Sequence, residues 1–516
     1  MSDPVIDPST PILVGVHQIT YRVTPEAMPT GLQMLEQAAH GALEDTGAGG
    51  STRAAIDTVL AINSTIEEPF FDGMDLPKSK NPPLALARAL GVPDARCIYT
   101  HTGGNTPQMV VNRLAEEIAG GKVGVALIAG AEFMQNFWAL VQSGADMTAW
   151  RVEDDLCKEY WGDKRPGSSE VETAHAMDRP SNTYALIETA IRASRGSNVA
   201  DHMTSIGKLM SPFTAVAAKN PNAWFPVERP ADEIATETDK NRMVGSPYTK
   251  YMNSILRVDM SASLVLTSVG KARELGIPEE KWVYLRGCAD GVDVWNISER
   301  PELHRSPAMA GCWAAASGMA GIGADELDLI DLYSCFPSAV EIACLEIGLA
   351  EDDSRGLTVT GGLPYFGGPG NNYATHSIAE MVTQLRAKPG AYGLCTANGW
   401  YITKHACGIY STTPPSGKWS RENPSILQSE LDASQTVSVT EAPNGRGTVE
   451  TCTAVYGRDG PMFGLVIGRL EDNSRFVAQT ATDEATINAL RADDCVGRRG
   501  NVSPAGDGLK NIFTFE

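Results

Sequence analysis

Positive charge is scarce in this 516-residue sequence: 42 Lys and Arg stand against 63 Asp and Glu, a formal net charge of −21. That balance argues against a nucleic-acid partner and against docking on acidic membranes, both of which need a surplus of cations. It leaves room for a small anionic ligand, which needs only local positive charge. Cysteine is scarce too, ten residues in apolar contexts with no CxxC pair. They read as reduced thiols of a cytoplasmic protein and offer neither a disulfide frame nor a zinc site, so no metal is expected. Long apolar runs are missing: Val123 to Ala131 is far too short to cross a bilayer. The start, MSDPVIDPSTP, is acidic and proline-rich and does not read as a secretory signal. With 42% hydrophobic and 20% charged residues, the composition is that of a globular chain long enough for two or three domains.

Glycine, by contrast, is concentrated. Gly361 to His376, GGLPYFGGPGNNYATH, holds five glycines and two prolines. Ile378, Met381, Val382 and Leu385 follow at helical spacing, with Ser377 and Glu380 expected as a capping box. A backbone this free approaches a ligand closely, and a helix N-terminus suits an anion or a thioester oxygen. A tight surface turn before an ordinary helix has the same composition.

The rest of the chain alternates strands and helices. Ile12 to Val16, Asp57 to Asn63 and Val123 to Ala131 read as strands, and a helix begins after CIYTHTGGN with Thr106 as its cap and Pro107 in its first turn. Residues 132–257 are richer in charge, Trp and Met and read as an inserted loop subdomain that covers substrate. Asp259 to Ser268 returns to strand. A second half echoes the first, with IDTVLAI matched by LDLIDLY, and implies a duplicated α/β unit whose sheets are mostly parallel. After the break at PPSGKWSRENP come short strands, among them Thr436 to Thr440, separated by GRDG and EDNS, the pattern of a separate small β-barrel of the OB type. The expected organisation is a first half over 1–131 and 258–280, the insertion, a second half over 281–413, and the barrel over 425–516.

This order resembles the thiolase superfamily, in particular the sterol-carrier-type thiolases and the type-1 thiolase-like proteins that carry an added C-terminal domain. The likeness runs from about Pro11 to Pro414. It implies a duplicated αβαβα five-layer core that handles coenzyme A thioesters. Four motifs can be placed, and each departs from the family pattern. Counting back from GAEFM puts the nucleophilic cysteine at Gly104, in GNT; Cys97 lies too far upstream, on the preceding strand. Tyr333, Ser334, Cys335 and Phe336 stand for the HDCF motif, so a tyrosine replaces the residue that positions the oxyanion-hole water. Gly367, Gly368 and Pro369 stand for GHP, with Gly368 in the place of the histidine. Asn398, in TANGWY, stands at the acid/base cysteine. A thiolase needs a thiolate to accept the acyl group, so ordinary thiolase activity is not expected.

Candidates for residual chemistry are Tyr333, Cys335, His376 and His101, which the resemblance places near one pocket; each is also at home as a structural residue. His17, His405 and Cys407 are weaker. For coenzyme A or an acyl-CoA, the only ligand expected, Arg242, Tyr248, Lys250, Gly367, Gly368 and Lys404 are the binding candidates. No permanently bound cofactor is expected. The leading reading is a thiolase-like, formally acyltransferase protein that binds a CoA ester, with weak or no thiolase activity. One alternative is a carbon–carbon lyase on acyl-CoA substrates that uses Tyr333 with Tyr248 or Tyr251. Another is a non-catalytic binding or assembly protein. The barrel is expected to fold back in place of a partner, which favours a monomer over a dimer.

Overall fold

The computed structural model describes residues 6–67, 71, 76, 79–152, 155–506 and 508–516. Strands β1 (Pro11–Thr20), β2 (Thr58–Ala61), β3 (Arg96–Thr100), β4 (Val125–Phe133) and β5 (Tyr160–Trp161) belong to the first half, closed by β8 (Asp259–Ser268). Between them β6 (Met243–Gly245) and β7 (Tyr248–Thr249) lie in the insertion. The second half supplies β9 (Val283–Val292), β10 (Leu329–Asp331), β11 (Tyr392–Gly399) and β12 (Lys404–Ser411). The longer core helices are α1 (Gly31–Asp45), α2 (Pro82–Ala89), α3 (Thr106–Ala119), α4 (Pro180–Ser194), α5 (Val199–Lys219), α6 (Pro307–Ala320), α7 (Pro337–Ile347) and α8 (Tyr373–Ala387).

The strands run in the order β10-β11-β12-β9-β1-β8-β4-β2-β3-β5, with a short β1–β9 pairing at Ile12 and Leu13 joining the two halves. The sheets are mixed, which corrects the expectation of mostly parallel ones. Pairings β2–β3, β2–β4, β3–β5 and β10–β11 are parallel, whereas β1–β8, β4–β8, β9–β12 and β11–β12 are antiparallel. Apolar runs buried on both faces do not report strand direction, and β4 shows why: it is buried throughout yet pairs parallel on one side and antiparallel on the other.

Alternation along each strand divides the core into layers. Ile12, Val59, Leu127 and Val265 face α1, while Leu13, Leu60, Ile128 and Leu264 face the other way, into a middle layer made by Val111, Leu114 and Ile118 of α3 and Ile378, Met381 and Leu385 of α8. From the second half Leu285, Cys395 and Tyr410 join that middle layer, while Leu394, Cys407 and Ile409 meet α6 and α7 outside. Helix, sheet, helix, sheet and helix thus stack in five layers.

The C-terminal strands β13 (Gly445–Tyr456), β14 (Pro461–Leu470), β15 (Arg475–Thr480), β16 (Arg499–Pro504) and β17 (Asn511–Phe515) close into an OB-like barrel through the β13–β14 pairing. Thr436 to Thr440 forms only a single bridge, Val439 with Arg475. The barrel is not set apart from the core. Leu465, Ile467 and Val477 share an apolar cluster with Leu186 and Ile187 of α4, Val455 pairs with Gly245 of β6, and the buried Arg475 guanidinium bonds the Ser298 carbonyl at 2.9 Å. Cys452 and Cys495 are joined as a disulfide inside the barrel, against the expectation of thiols throughout; the other eight cysteines are free.

Candidate functional site

Three turns meet where β3, β10 and β11 end. The first, His101 to Asn105, leads into α3, whose N-cap is Asn105 and whose first residue is Thr106; Pro107 sits where a missing N–H costs nothing. Thr106 is therefore inside the helix, one position later than expected. Gly104 lies against the second turn so closely that a Cβ there would run into the Tyr333 hydroxyl and stand 2.5 Å from the Asn398 carbonyl oxygen of the third. Three of the four motif positions, Gly104, Tyr333 and Asn398, thus converge on one point. The volume that a nucleophilic side chain would fill is taken by a phenol.

Tyr333 is held by its backbone, whose N–H donates to Thr396 Oγ1 at 2.9 Å, and by edge contact with Tyr373 at 5.4 Å between ring centroids. Its hydroxyl makes no hydrogen bond among the described residues. Burial raises its pKa, so the phenol stays neutral at ordinary pH. Burial likewise pushes the Cys335 thiol up to about 12, which leaves it a poor nucleophile.

Asn398 donates through Nδ2 to the hydroxyl of Tyr184 at 3.0 Å, and that hydroxyl donates to the Trp400 carbonyl at 2.9 Å while accepting from the Ile402 N–H at 3.3 Å. Trp400 and Ile402 both have left-handed backbones, φ 56° and 54°, a costly state for a bulky and a β-branched residue. Tyr184, stacked on Phe336 at 4.3 Å, is the brace that holds this turn. Nothing in the sequence marks Tyr184; it reads as one more apolar position of the helix over Ser181 to Ser194. Buried polar atoms without partners collect here: Asn105 Oδ1, Asn398 Oδ1 and Trp400 Nε1.

The glycine loop lies differently from its expected role. Gly367, at φ 117°, is closed in by Met260, Val258 and Trp224. Gly368 packs on Ser254 and donates its N–H to the Ile255 carbonyl at 3.0 Å. The space at Gly367 and Gly368 is thus filled by the insertion, through Trp224, Ser254 and Ile255, and by Val258 and Met260 at the start of β8. Ser377 and Glu380 do not cap a helix start, because α8 already begins at Tyr373. His376 is consequently inside α8, fully buried, with Nδ1 3.1 Å from Gln18 Oε1 and Nε2 without a partner. Burial lowers its pKa to about 3. It contacts Phe366, not Tyr333.

His101 lies at the rim, stacked on the exposed Tyr160 at 5.2 Å, with its pKa lowered by partial burial and by Lys404 and Lys164. Lys404 is buried, bonded to the Thr102 carbonyl, and sits 5.3 Å from the Trp400 ring. Lys164 and Lys404 place positive charge at this rim, with Asp163 beside them. The remaining candidates lie elsewhere. Arg242 bonds the carbonyls of Met243 at 2.9 Å and Gly457 at 3.4 Å, at the seam with the barrel, and Lys250 is exposed. Tyr248 is fully buried and spends its hydroxyl on Glu188 at 2.6 Å and Ser338 at 2.7 Å; Tyr251 lies under the Arg229 guanidinium at 4.1 Å. His405 bonds Ser306, the N-cap of α6, at 3.1 Å, Cys407 is buried with its thiol pushed up to about 12, and His17 packs on α1 at Gly41.

Residues 426–507 match the family model described as the thiolase-like protein type 1 additional C-terminal domain. Across 99% of this chain and 100% of the other, the fold is similar to that of a monomeric SCP2-thiolase like protein type 1 from Mycobacterium smegmatis, with 37% identity and a TM-score of 0.84. A solved Ltp2-ChsH2(DUF35) aldolase shares the fold at 18% identity and a TM-score of 0.56, over 78% of this chain and 98% of that one. In sequence, an acetyl-CoA acetyltransferase of Methanothermobacter thermautotrophicus is 24% identical over 189 residues, 34% of this chain and 47% of that protein. The match thus spans about half the length of that curated relative.

Proposed function

Since the chain belongs to the type-1 thiolase-like proteins of the thiolase superfamily, we propose that it binds a coenzyme A ester and turns it over weakly or not at all as a thiolase. The observation that carries this reading is the Tyr333 hydroxyl filling the space at Gly104. No thiolate stands there to take an acyl group, and the Tyr333 hydroxyl occupies the space its side chain would need. What supports binding is a set of polar atoms on Asn105, Asn398 and Trp400 with no partner among the described residues, together with the ammonium groups of Lys164 and Lys404 beside His101. Unpaired buried polar atoms cost stability, and a ligand that pairs them recovers it. A monomer goes with this reading: the barrel shares its core with the insertion, and the M. smegmatis relative is described as monomeric.

The test is a calorimetric titration of the wild type and of Tyr333→Phe with acetyl-CoA. Saturable binding by the wild type supports the proposal, and heat no larger than dilution refutes it.

A second reading draws on the same phenol. In a carbon–carbon lyase acting on a β-hydroxyacyl-CoA, an acid must meet the enolate oxygen and a base must take the hydroxyl proton. With its pKa raised by burial, Tyr333 stays protonated and suits the hydrogen-bond donor to the enolate oxygen better than the base. Cleavage of a β-hydroxyacyl-CoA by the wild type, lost in Tyr333→Phe, would select this reading over simple binding.

A further inference from the structure

A second group of buried polar side chains lies where the insertion meets the core. Glu188 comes from α4, His202 from α5, and Glu341 from α7. All three are buried, and one ligand atom from each lies within 4.8 Å of the others. His202 Nε2 is 2.6 Å from Glu188 Oε1. The second oxygen of each carboxylate is fixed from outside the group. Tyr248 donates to Glu188 Oε2 at 2.6 Å, and Arg195 donates to Glu341 Oε1 at 2.7 Å. That leaves Glu341 Oε2, in a residue 1% exposed, with no hydrogen-bond partner among the described residues.

Two carboxylates taken out of water repel each other, and either a proton shared between them or a bound cation relieves that repulsion. Arg195 is shared with Glu351 at 2.5 Å, and Arg192, the other guanidinium near His202, is spent on the carbonyls of Ser197 and Asp493. A cation accepting Glu188 Oε1, Glu341 Oε2 and His202 Nε2 would supply that charge and partner the orphaned oxygen. We propose that Glu188, His202 and Glu341 bind a first-row divalent cation, with Zn²⁺ favoured by the mixed oxygen and nitrogen donors. Tyr248 and Arg195 then orient the ligating carboxylates from behind, as outer partners of metal ligands do. The His202–Glu188 hydrogen bond is exchanged for the metal, with the imidazole neutral and its proton on Nδ1. A surface pocket lined by Ser194, Arg195, His304, Arg305 and Glu341 reaches Glu341 from outside, with Arg305 held by Glu346. The bound ion would pin α4 and α5 of the insertion to α7, beside the Tyr333 turn. The spacing hides such a site: Glu188 and His202 lie 14 residues apart on different helices, and Glu341 is in the other half of the core.

The experiment uses the full chain with any affinity tag removed. It is stripped with a chelator, reloaded with Zn²⁺ and analysed for bound metal by mass spectrometry. About one zinc per chain is expected, with a melting midpoint several degrees above that of the stripped protein. His202→Gln and Glu341→Gln should each weaken zinc binding at least about tenfold. Should either variant fail to fold, zinc-edge X-ray absorption of the loaded wild type reads the ligands directly, and nitrogen and oxygen without sulfur are expected. Less than stoichiometric zinc in the loaded wild type, equal binding by both variants, or sulfur ligands would overturn the assignment.

Discussion

Tyr248 and Tyr333 are both buried phenols whose pKa is raised, and they flank the same Phe336 segment, yet they are placed in opposite ways. Tyr248 bonds Glu188 and Ser338 and accepts the Ser338 N–H at 3.3 Å, so its oxygen is fully used. Tyr333 makes no hydrogen bond through its oxygen among the described residues, and it lies against a glycine and beside polar atoms that have no partner among them. A satisfied buried network holds a fold; an unsatisfied one at the end of three core strands is where a ligand gains most by binding. The comparison separates a structural phenol from a ligand-facing one, although both are tyrosines that sequence reading placed in one site.

The sharpest way to break this contrast is to put back the missing side chain. Gly104→Cys would press Sγ and Cβ onto Tyr333 and the Asn398 backbone, and overpacking against backbone should cost about 3 kcal/mol. Guanidinium unfolding measures it. Adding Tyr333→Ala should recover only part, because the Asn398 carbonyl stays 2.5 Å from the new Cβ. Full stability of Gly104→Cys alone would mean that Tyr333 does not fill this space.

Tyr248→Phe should follow, at about 2 kcal/mol, since it strips a donor from buried Glu188. A loss below that of Tyr333→Phe would reverse the assignment of the two phenols.

His376 extends the contrast to a group whose unpaired nitrogen matters through pH. The unfolded imidazole takes a proton below about 6.5, and the buried one only below about 3. Between those values the unfolded state binds more protons, so stability is lost as pH falls through that window. At pH 5.5 the loss from this residue is about 1.4 kcal/mol. His376→Leu should show a flatter stability profile between pH 6.5 and 4; an unchanged slope would remove this residue from the account. The smallest effect on stability belongs to Tyr333→Phe, below about 0.5 kcal/mol, because no hydrogen bond is lost. Its effect should appear instead in the acetyl-CoA titration, as weaker binding.

How far the sequence reached follows from the same physics. The helix faces of α3, α7 and α8 and the strand–turn–helix order were legible because helical periodicity and Gly/Pro punctuation are local. The placement of Gly104, Tyr333 and Asn398 together came from the motif resemblance, not from periodicity. Sheet direction was not legible, since β4 is apolar on both faces whatever its neighbours. The glycine loop was ambiguous in sequence because its freedom of backbone serves close packing on Ser254 and Met260 as well as it would serve a ligand. Tyr184 and the Glu188–His202–Glu341 group were invisible because their partners lie far away in sequence, on elements that only the tertiary fold brings together. The barrel's strands showed as turns and alternation, but the apolar cluster it shares with α4 did not.

A neutral phenol stands where an acyl-accepting nucleophile would be. Intact-mass spectrometry of the wild type after incubation with excess acetyl-CoA tests it most directly. The account predicts an unchanged chain mass under conditions where calorimetry shows the site saturated. A stable gain of one acetyl group, mapped to Cys335 or to any other residue of the Gly104–Tyr333–Asn398 site, would contradict it.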